Sequence, residues 1–229
     1  MKTRNSHHPQ SNAFSLIELL VVIAIIGIIG TIAVPAAGNL LKGSSLTQAA
    51  NLLTDQMAAA RQHALSRNRV VEVRFYRFAD PELPGEVATD PSTGYYRALQ
   101  FLEIGENGIP NPVGKVIRFP DTVMMNPNAT LSSVLGVNTA ARLVTSAKLD
   151  ANDPEMPRGV KKNYDYVSFR FLPDGTTNLP TTGLWYITVH LINDLGRASG
   201  EKPPPNFFTW MIEPVSGGTK VLRPGLKKA

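Results

Sequence analysis

The chain has no cysteine among its 229 residues, which excludes disulfide staples and thiolate metal sites and leaves the fold to rest on its apolar core. Histidine is scarce as well, four in all, and two of these, His7 and His8, stand in a short basic segment at the start. Outside it only His63, within a helical pattern, and His190, within a strand-like run, remain; both read as surface or satisfied polar positions. No P-loop, H-E-x-x-H, G-x-S-x-G or G-x-G-x-x-G occurs, so no enzymatic class and no cofactor is signalled. Asp150, Asp153 and Glu155 are spaced like no defined calcium loop and read as a solvated turn, so no metal is expected. No repeat of 20–50 residues is present. Acids are missing from residues 1–13, which carry Lys2 and Arg4; that asymmetry favours a cytoplasmic start and an exported C-terminal part.

What the sequence does have is one long apolar run. Phe14 to Val34 is 21 residues with a single charge, Glu18, and at about 1.5 Å per residue it makes roughly 30 Å of helix, enough to cross the hydrocarbon of a bilayer. A carboxylate inside such a span costs about 2.5–3.5 kcal/mol near the centre and calls for a partner. Cleavage between Ala13 and Phe14 would create one, an α-amino group four residues before Glu18, able to pair with the carboxylate within one chain or between neighbours. Two competing readings, an ordinary secretory signal cut near Ala33, Ala36 and Ala37 and a plain membrane anchor, leave Glu18 unexplained.

Ala13-Phe14-Ser15-Leu16-Ile17-Glu18, followed by Leu-Leu-Val-Val-Ile-Ala-Ile-Ile, resembles the class III signal of type IV prepilins and type II secretion pseudopilins. The resemblance implies that a prepilin peptidase removes residues 1–13 and methylates Phe14, that Glu18 guides subunit registry, and that Pro35 occupies the family's usual helix position. Ala13 stands where the family normally has Gly; a small residue is kept. The implied partners are the peptidase, the membrane, and other pilin or pseudopilin subunits through the N-terminal helix. The implied location is single-pass in the inner membrane, leader cytoplasmic and C-terminal domain periplasmic, with incorporation into a filament.

Beyond Pro35 the helical spacing continues. Leu40, Leu41, Leu46, Ala49, Ala50, Leu52, Leu53, Met57, Ala60, Ala64 and Leu65 recur near three- and four-residue spacing against a polar side of Lys42, Gln48, Asp55, Arg61 and Arg67. Gly30 to Gly43, with Pro35 between, is the expected place for a kink or local melting. From Arg69 the period becomes two, with strand-like runs in Val71–Phe78, Tyr95–Ile104, Lys115–Phe119, Tyr166–Leu172, Leu184–Ile192 and Phe207–Glu213, and a Gly-rich hairpin over Ile212–Leu222. Residues 79–94 and 120–163 read as long connections, with Leu143–Val144 a minor strand or helix. The organisation is a leader (1–13), an apolar helix (14–35), its amphipathic continuation (36–67) and a β-rich domain (68–229). The fold class is therefore α+β, a long N-terminal helix packed on a mostly antiparallel sheet, in keeping with a type IV pilin-like fold.

Phe169-Arg-Phe-Leu-Pro-Asp-Gly-Thr-Thr resembles the F-x-P-x-G stretch of minor pseudopilin H, and the leader, middle insertion and Arg-Pro-Gly ending resemble the prepilin-like Verru_Chthon cassette protein D family. The expected function is a structural, minor subunit of a type IV pilus or type II secretion-like pseudopilus. One alternative is a DNA-binding minor pilin using a basic tail, Lys220, Arg223, Lys227 and Lys228, although four cations would give only weak, salt-sensitive binding and nucleic acid is not the expected partner. The other is a simple membrane-anchored, exported β domain.

Overall fold

Small and apolar residues spaced by three and four dictate the first element. The computed structural model describes residues 15–80, 86, 94–136, 144–146, 164–197 and 202–224, the side chains of 30–42 and 144–146 excepted. Helix α1 runs from Leu16 to Arg67. It stops at Asn68, whose φ of 53° is left-handed, and Arg69 N–H closes the end by donating to the Ala64 carbonyl at 3.3 Å, a Schellman-type cap. The helical assignment continues through Pro35, so the local melting expected over Gly30–Gly43 is not seen; proline removes only one backbone bond, and the Leu- and Ala-containing flanks carry the helix past it.

The chain divides into two compact units, Met1–Leu41 and Lys42–Ala229. In the second, the described residues form ten strands of one sheet: β1 (Val71–Phe78), β2 (Tyr95–Ile104), β3 (Pro110–Pro112), β4 (Ile117–Arg118), β5 (Val123–Met125), β6 (Val144–Ser146), β7 (Asp165–Phe171), β8 (Trp185–Leu191), β9 (Phe207–Ile212) and β10 (Thr219–Leu222). The order is β10-β9-β8-β5-β2-β1-β7-β6, with β3 and β4 also on β2, and the pairs are antiparallel. Five of the runs read from sequence become β1, β2, β7, β8 and β9, and the hairpin supplies β10. Lys115–Phe119 shrinks to the two residues of β4. In the 120–163 connection β6 meets the minor strand expected at Leu143–Val144, and β5, three residues long and surrounded by turn formers, is the addition. A 3-10 helix, Ile192–Arg197, follows β8.

The helix stripe Leu46, Ala49, Ala50, Leu53, Met57, Ala60 and Ala64 packs into one core with Val71, Val73, Phe75, Leu99, Phe169, Phe171, Ile187, Val189, Phe208 and Trp210. Alternation places the next residues of β1 on the opposite face, where Tyr76 and Phe78 gather with Ala98, Tyr164 and Tyr166. Register slips at Tyr76/Arg77, which pair with Ala98 and Tyr96, leaving Arg97 as a bulged extra residue on β2. A bulge re-aims side chains: Arg97 is buried and binds both oxygens of Glu86 at 2.7 and 2.8 Å. On the same outer face Glu72 is buried between Arg74 at 2.6 Å and Arg170 at 3.2 Å, so its charge is met from both sides. At the β10 edge Lys220 is exposed and Pro214 and Pro224 lie before and after β10, features that discourage further strand addition.

Two turns meet the helix at Arg61, whose Nε donates to the carbonyls of Gly175 and Ser216, both at 3.1 Å. Gly175 ends the Phe171-Leu-Pro-Asp-Gly turn with φ +82°, and Gly217 in the β9–β10 hairpin has φ +65°. A Cβ on Gly217 would overlap the Gly175 carbonyl oxygen, whereas one on Gly108, at φ +76°, would meet open space. Gly108→Ala should therefore cost only the left-handed strain, about 1 kcal/mol, and Gly217→Ala should cost more than ~3 kcal/mol because the turn must also move off Arg61. Urea unfolding of the full chain in detergent checks this; equal costs would show that the turn-to-turn contact carries no weight.

Candidate functional site

The pattern Ser15-Leu16-Ile17-Glu18 fixes where α1 begins. The Ser15 carbonyl accepts from the N–H of Glu18 at 3.0 Å and of Leu19 at 3.2 Å, and the Glu18 carboxylate reaches back to the Ser15 N–H at 3.4 Å. This is the Glu half of a capping box, in which an acid in the first turn satisfies a backbone donor and meets the positive helix end. The S-x-x-E spacing carries this signal, and the reading of Glu18 only as a carboxylate awaiting an amine missed it. The bond is long and exposed, so a charged donor could replace it at little cost.

From Glu18 the helix is apolar on every side. Eleven large apolar residues between Leu16 and Ile29 are exposed, Leu16 by 83% and Ile26 by 63%. A helix apolar all round belongs inside a membrane or a packed protein interior. Among the described residues no helix is long and apolar enough to cross a membrane. The span read from sequence as 14–34 is not recovered as one, since described side chains cover only 15–29 of it, about 22 Å at 1.5 Å per residue.

The remaining site residues fall apart rather than together. Ala13, Phe14, Lys227 and Lys228 lie outside the described residues, and Pro35 lies in α1 without a described side chain. Lys220 is exposed on β10, but Arg223 is engaged: its Nη1 donates to Thr47 Oγ1 at 3.1 Å and its guanidinium lies 6.0 Å from the Phe208 ring centre. Arg223 therefore ties the end of the chain to the second half of α1.

Chemistry elsewhere is sparse. An open cleft of about 610 Å³ beside α1 is lined by Ser44, Thr47, Gln48, Asn51, Asp55 and Ile117, neutral polar groups with one acid and no histidine or lysine in the lining to activate the Ser44 or Thr47 hydroxyl. His63 pairs with Glu103 at 2.7 Å, joining α1 to β2. His190 is buried and hydrogen-bonded on both ring nitrogens. Asp174 accepts from the hydroxyl and N–H of Thr176, which hold its carboxyl below the usual range, a turn-forming role. Among the described residues no group of three or more metal-ligating side chains converges; Asp150, Asp153 and Glu155 lie outside them. With Arg223 occupied, full-length protein in detergent should not retard duplex DNA in a mobility-shift gel at low salt. A shift that fades as salt rises would restore the basic tail as a phosphate contact.

Residues 9–34 match the family described as the Prokaryotic N-terminal methylation motif. No curated protein matches the chain. Two solved structures of the minor pseudopilin EpsH from the Type 2 Secretion System of Vibrio cholerae are similar to it. One has 9% identity and a TM-score of 0.40, covering 79% of this chain and 98% of the other. The second has 9% identity and a TM-score of 0.38, covering 81% and 99%.

Proposed function

We propose that the chain is a minor structural subunit of a type IV pilus or type II secretion-like pseudopilus. The observation that carries the reading is the methylation motif over residues 9–34, supported by a helix that starts beside Glu18 and is apolar on all sides over its first turns. In this reading residues 1–13 are a cytoplasmic leader that prepilin peptidase removes at Ala13–Phe14, with methylation at Phe14. Residues 14–35 anchor the chain in the inner membrane and later pack against other subunits, Pro35 marking a bend. Residues 36–67 join that anchor to the extracytoplasmic β domain, 68–229. The role is not enzymatic, and the β domain acts as a contact surface.

Glu18 then has two successive partners. Before assembly its carboxylate caps its own helix; in the assembled state it meets the new amino group at Phe14 of a neighbour, a charged donor stronger than the long bond it replaces. A plain anchor would need neither the motif nor the acid.

Intact-mass and N-terminal analysis after expression with and without an active prepilin peptidase tests processing. Loss of residues 1–13 and a methyl group on Phe14 are expected with the enzyme only; a chain still starting at Met1 in its presence sinks the proposal. Glu18→Ala should insert into membranes as well as the native chain does, while its incorporation into filaments falls at least about tenfold, a loss of roughly 1.4 kcal/mol. Sheared-filament fractions measure this, and undiminished incorporation would show that the carboxylate does not set registry.

A further inference from the structure

The sheet is two half-sheets, and its seam is thin. On one side stand β10, β9 and β8, on the other β2, β1, β7 and β6, with β5 between them. β5 pairs with β8 through three residues but with β2 through one, Tyr96 opposite Met125. What steadies β5 is the chain that follows it. Residues 126–136 lie along β8: Asn126 N–H donates to the Thr188 carbonyl at 2.8 Å, Val134 N–H to the Tyr186 carbonyl at 3.2 Å, and Thr188 N–H to the Leu131 carbonyl at 3.1 Å. Side chains join in, with Ser133 Oγ accepting from Tyr186 N–H and donating to the Leu184 carbonyl, and Tyr186 Oη donating to the Thr130 carbonyl.

Within this segment one contact depends on a proton. His190 Nδ1 is 2.8 Å from the Leu191 carbonyl, which can only accept, so Nδ1 carries the hydrogen. His190 Nε2 is 2.9 Å from Asn126 Nδ2, which can only donate, so Nε2 is bare. The Asn126 amide cannot turn over to help, because its Oδ1 already accepts from Asn128 N–H at 2.9 Å. The neutral ring is thus satisfied at both nitrogens, and a second proton would set donor against donor.

The surroundings offer that proton little compensation. Met124 of β5 and Phe207 of β9 stand opposite His190 in the register. The carboxylate acting on it is Asp194 of the 3-10 helix, itself paired with Arg197 at 3.3 Å. Burial outweighs both the Leu191 carbonyl and Asp194, and holds the imidazole below its ordinary value of 6.5.

We propose that Asn126–His190 is an acid-sensitive latch on the seam, closed at neutral pH and opened by protonation of His190, which frees residues 126–136 from β8 while β1, β2 and β7 stay paired. The direction follows from linkage. A native imidazole with a lowered pKa contributes stability that is complete above about 6.5 and is lost as pH falls from there through the native value. For an exported domain this makes the surface built from 126–136 responsive to external acidity.

Amide-exchange mass spectrometry on the full chain in detergent, corrected for intrinsic rates, tests the latch between pH 7.5 and pH 5. Peptides covering 124–136 and 186–191 should lose protection by about tenfold per pH unit as pH falls from about 6.5 to the native titration point, and level off below it, with peptides of β1 and β7 unchanged. Asn126→Asp supplies an acceptor for the protonated ring and should abolish the acid response. Should that variant not fold, ring-nitrogen NMR of the native chain decides: His190 should be the Nδ1–H tautomer at pH 7.5 and titrate below the ordinary imidazole value of 6.5. Uniform loss of protection, an unchanged acid response in Asn126→Asp, or a His190 that is already protonated at pH 7 would each overturn the proposal.

Discussion

One helix must satisfy two solvation requirements, and the rest of the molecule follows from that constraint. Over Leu46–Ala64, α1 is apolar along a single stripe, and Ala49, Ala60 and Ala64, with no exposed surface at all, let the sheet come close to the helix backbone. Over Leu16–Ile29 it is apolar all round, and nothing in the chain's described residues buries that surface. Fully burying a large aliphatic side chain is worth about 1.5–3 kcal/mol, so eleven half-exposed ones represent on the order of 10 kcal/mol. That is comparable with the whole net stability of an ordinary domain. A term this large decides the environment of the N-terminal part before any specific contact is considered.

The β domain meets the helix through polar clamps as well as through its core. Arg61 holds two turns that are far apart in sequence, those of Gly175 and Ser216, and Arg223 returns the chain's end to Thr47. Both arginines sit on or against the amphipathic half of α1, where a polar flank beside the apolar stripe leaves room for such bonds. The outer face is organised differently. There Glu72, Arg74, Arg170, Arg97 and Glu86 pair in a largely buried layer, and removing one member would leave its partner uncompensated. Packing fixes the inner face, and charge pairing beside the Tyr76–Phe78 cluster fixes the outer one, so the sheet is specified on both sides without a disulfide.

Those differences explain what could be read in advance. The stripe of α1 and the long strands were legible because each repeats its period over several residues, as in Val71, Val73 and Phe75 or Ile187 and Val189. β5 was not, because Val123-Met124-Met125 is one period of anything, and its place between β8 and β2 is a property of topology. β3, bounded by Pro110 and Pro112, ran against the expectation that proline ends strands, yet it pairs only with β2, as an appendage. At the N-terminus Glu18 was visible as the one charge in an apolar run, while its back-bond to Ser15 needed the helix start to be known. Of the two readings of His190, a surface or a satisfied polar position, the second holds. The ring's dependence on a proton could not be read, because Asn126 is 64 residues away.

The Ser15–Glu18 bond sharpens the role of the acid. Had Glu18 been held by a short, buried partner, moving it to a neighbour's amine would mean breaking a bond worth about 1.5–3 kcal/mol, and assembly would start at a deficit. Had it no partner at all, the acid would enter an apolar environment bare, at about 2.5–3.5 kcal/mol. A 3.4 Å exposed bond to a backbone N–H lies between these limits. It steadies the first turn and eases the carboxylate's entry into an apolar setting, yet it gives way to an ammonium group at small cost. In the proposed subunit role, the three-residue spacing between Ser15 and Glu18 would thus suit the Glu18 side chain to exchange rather than to permanent capping.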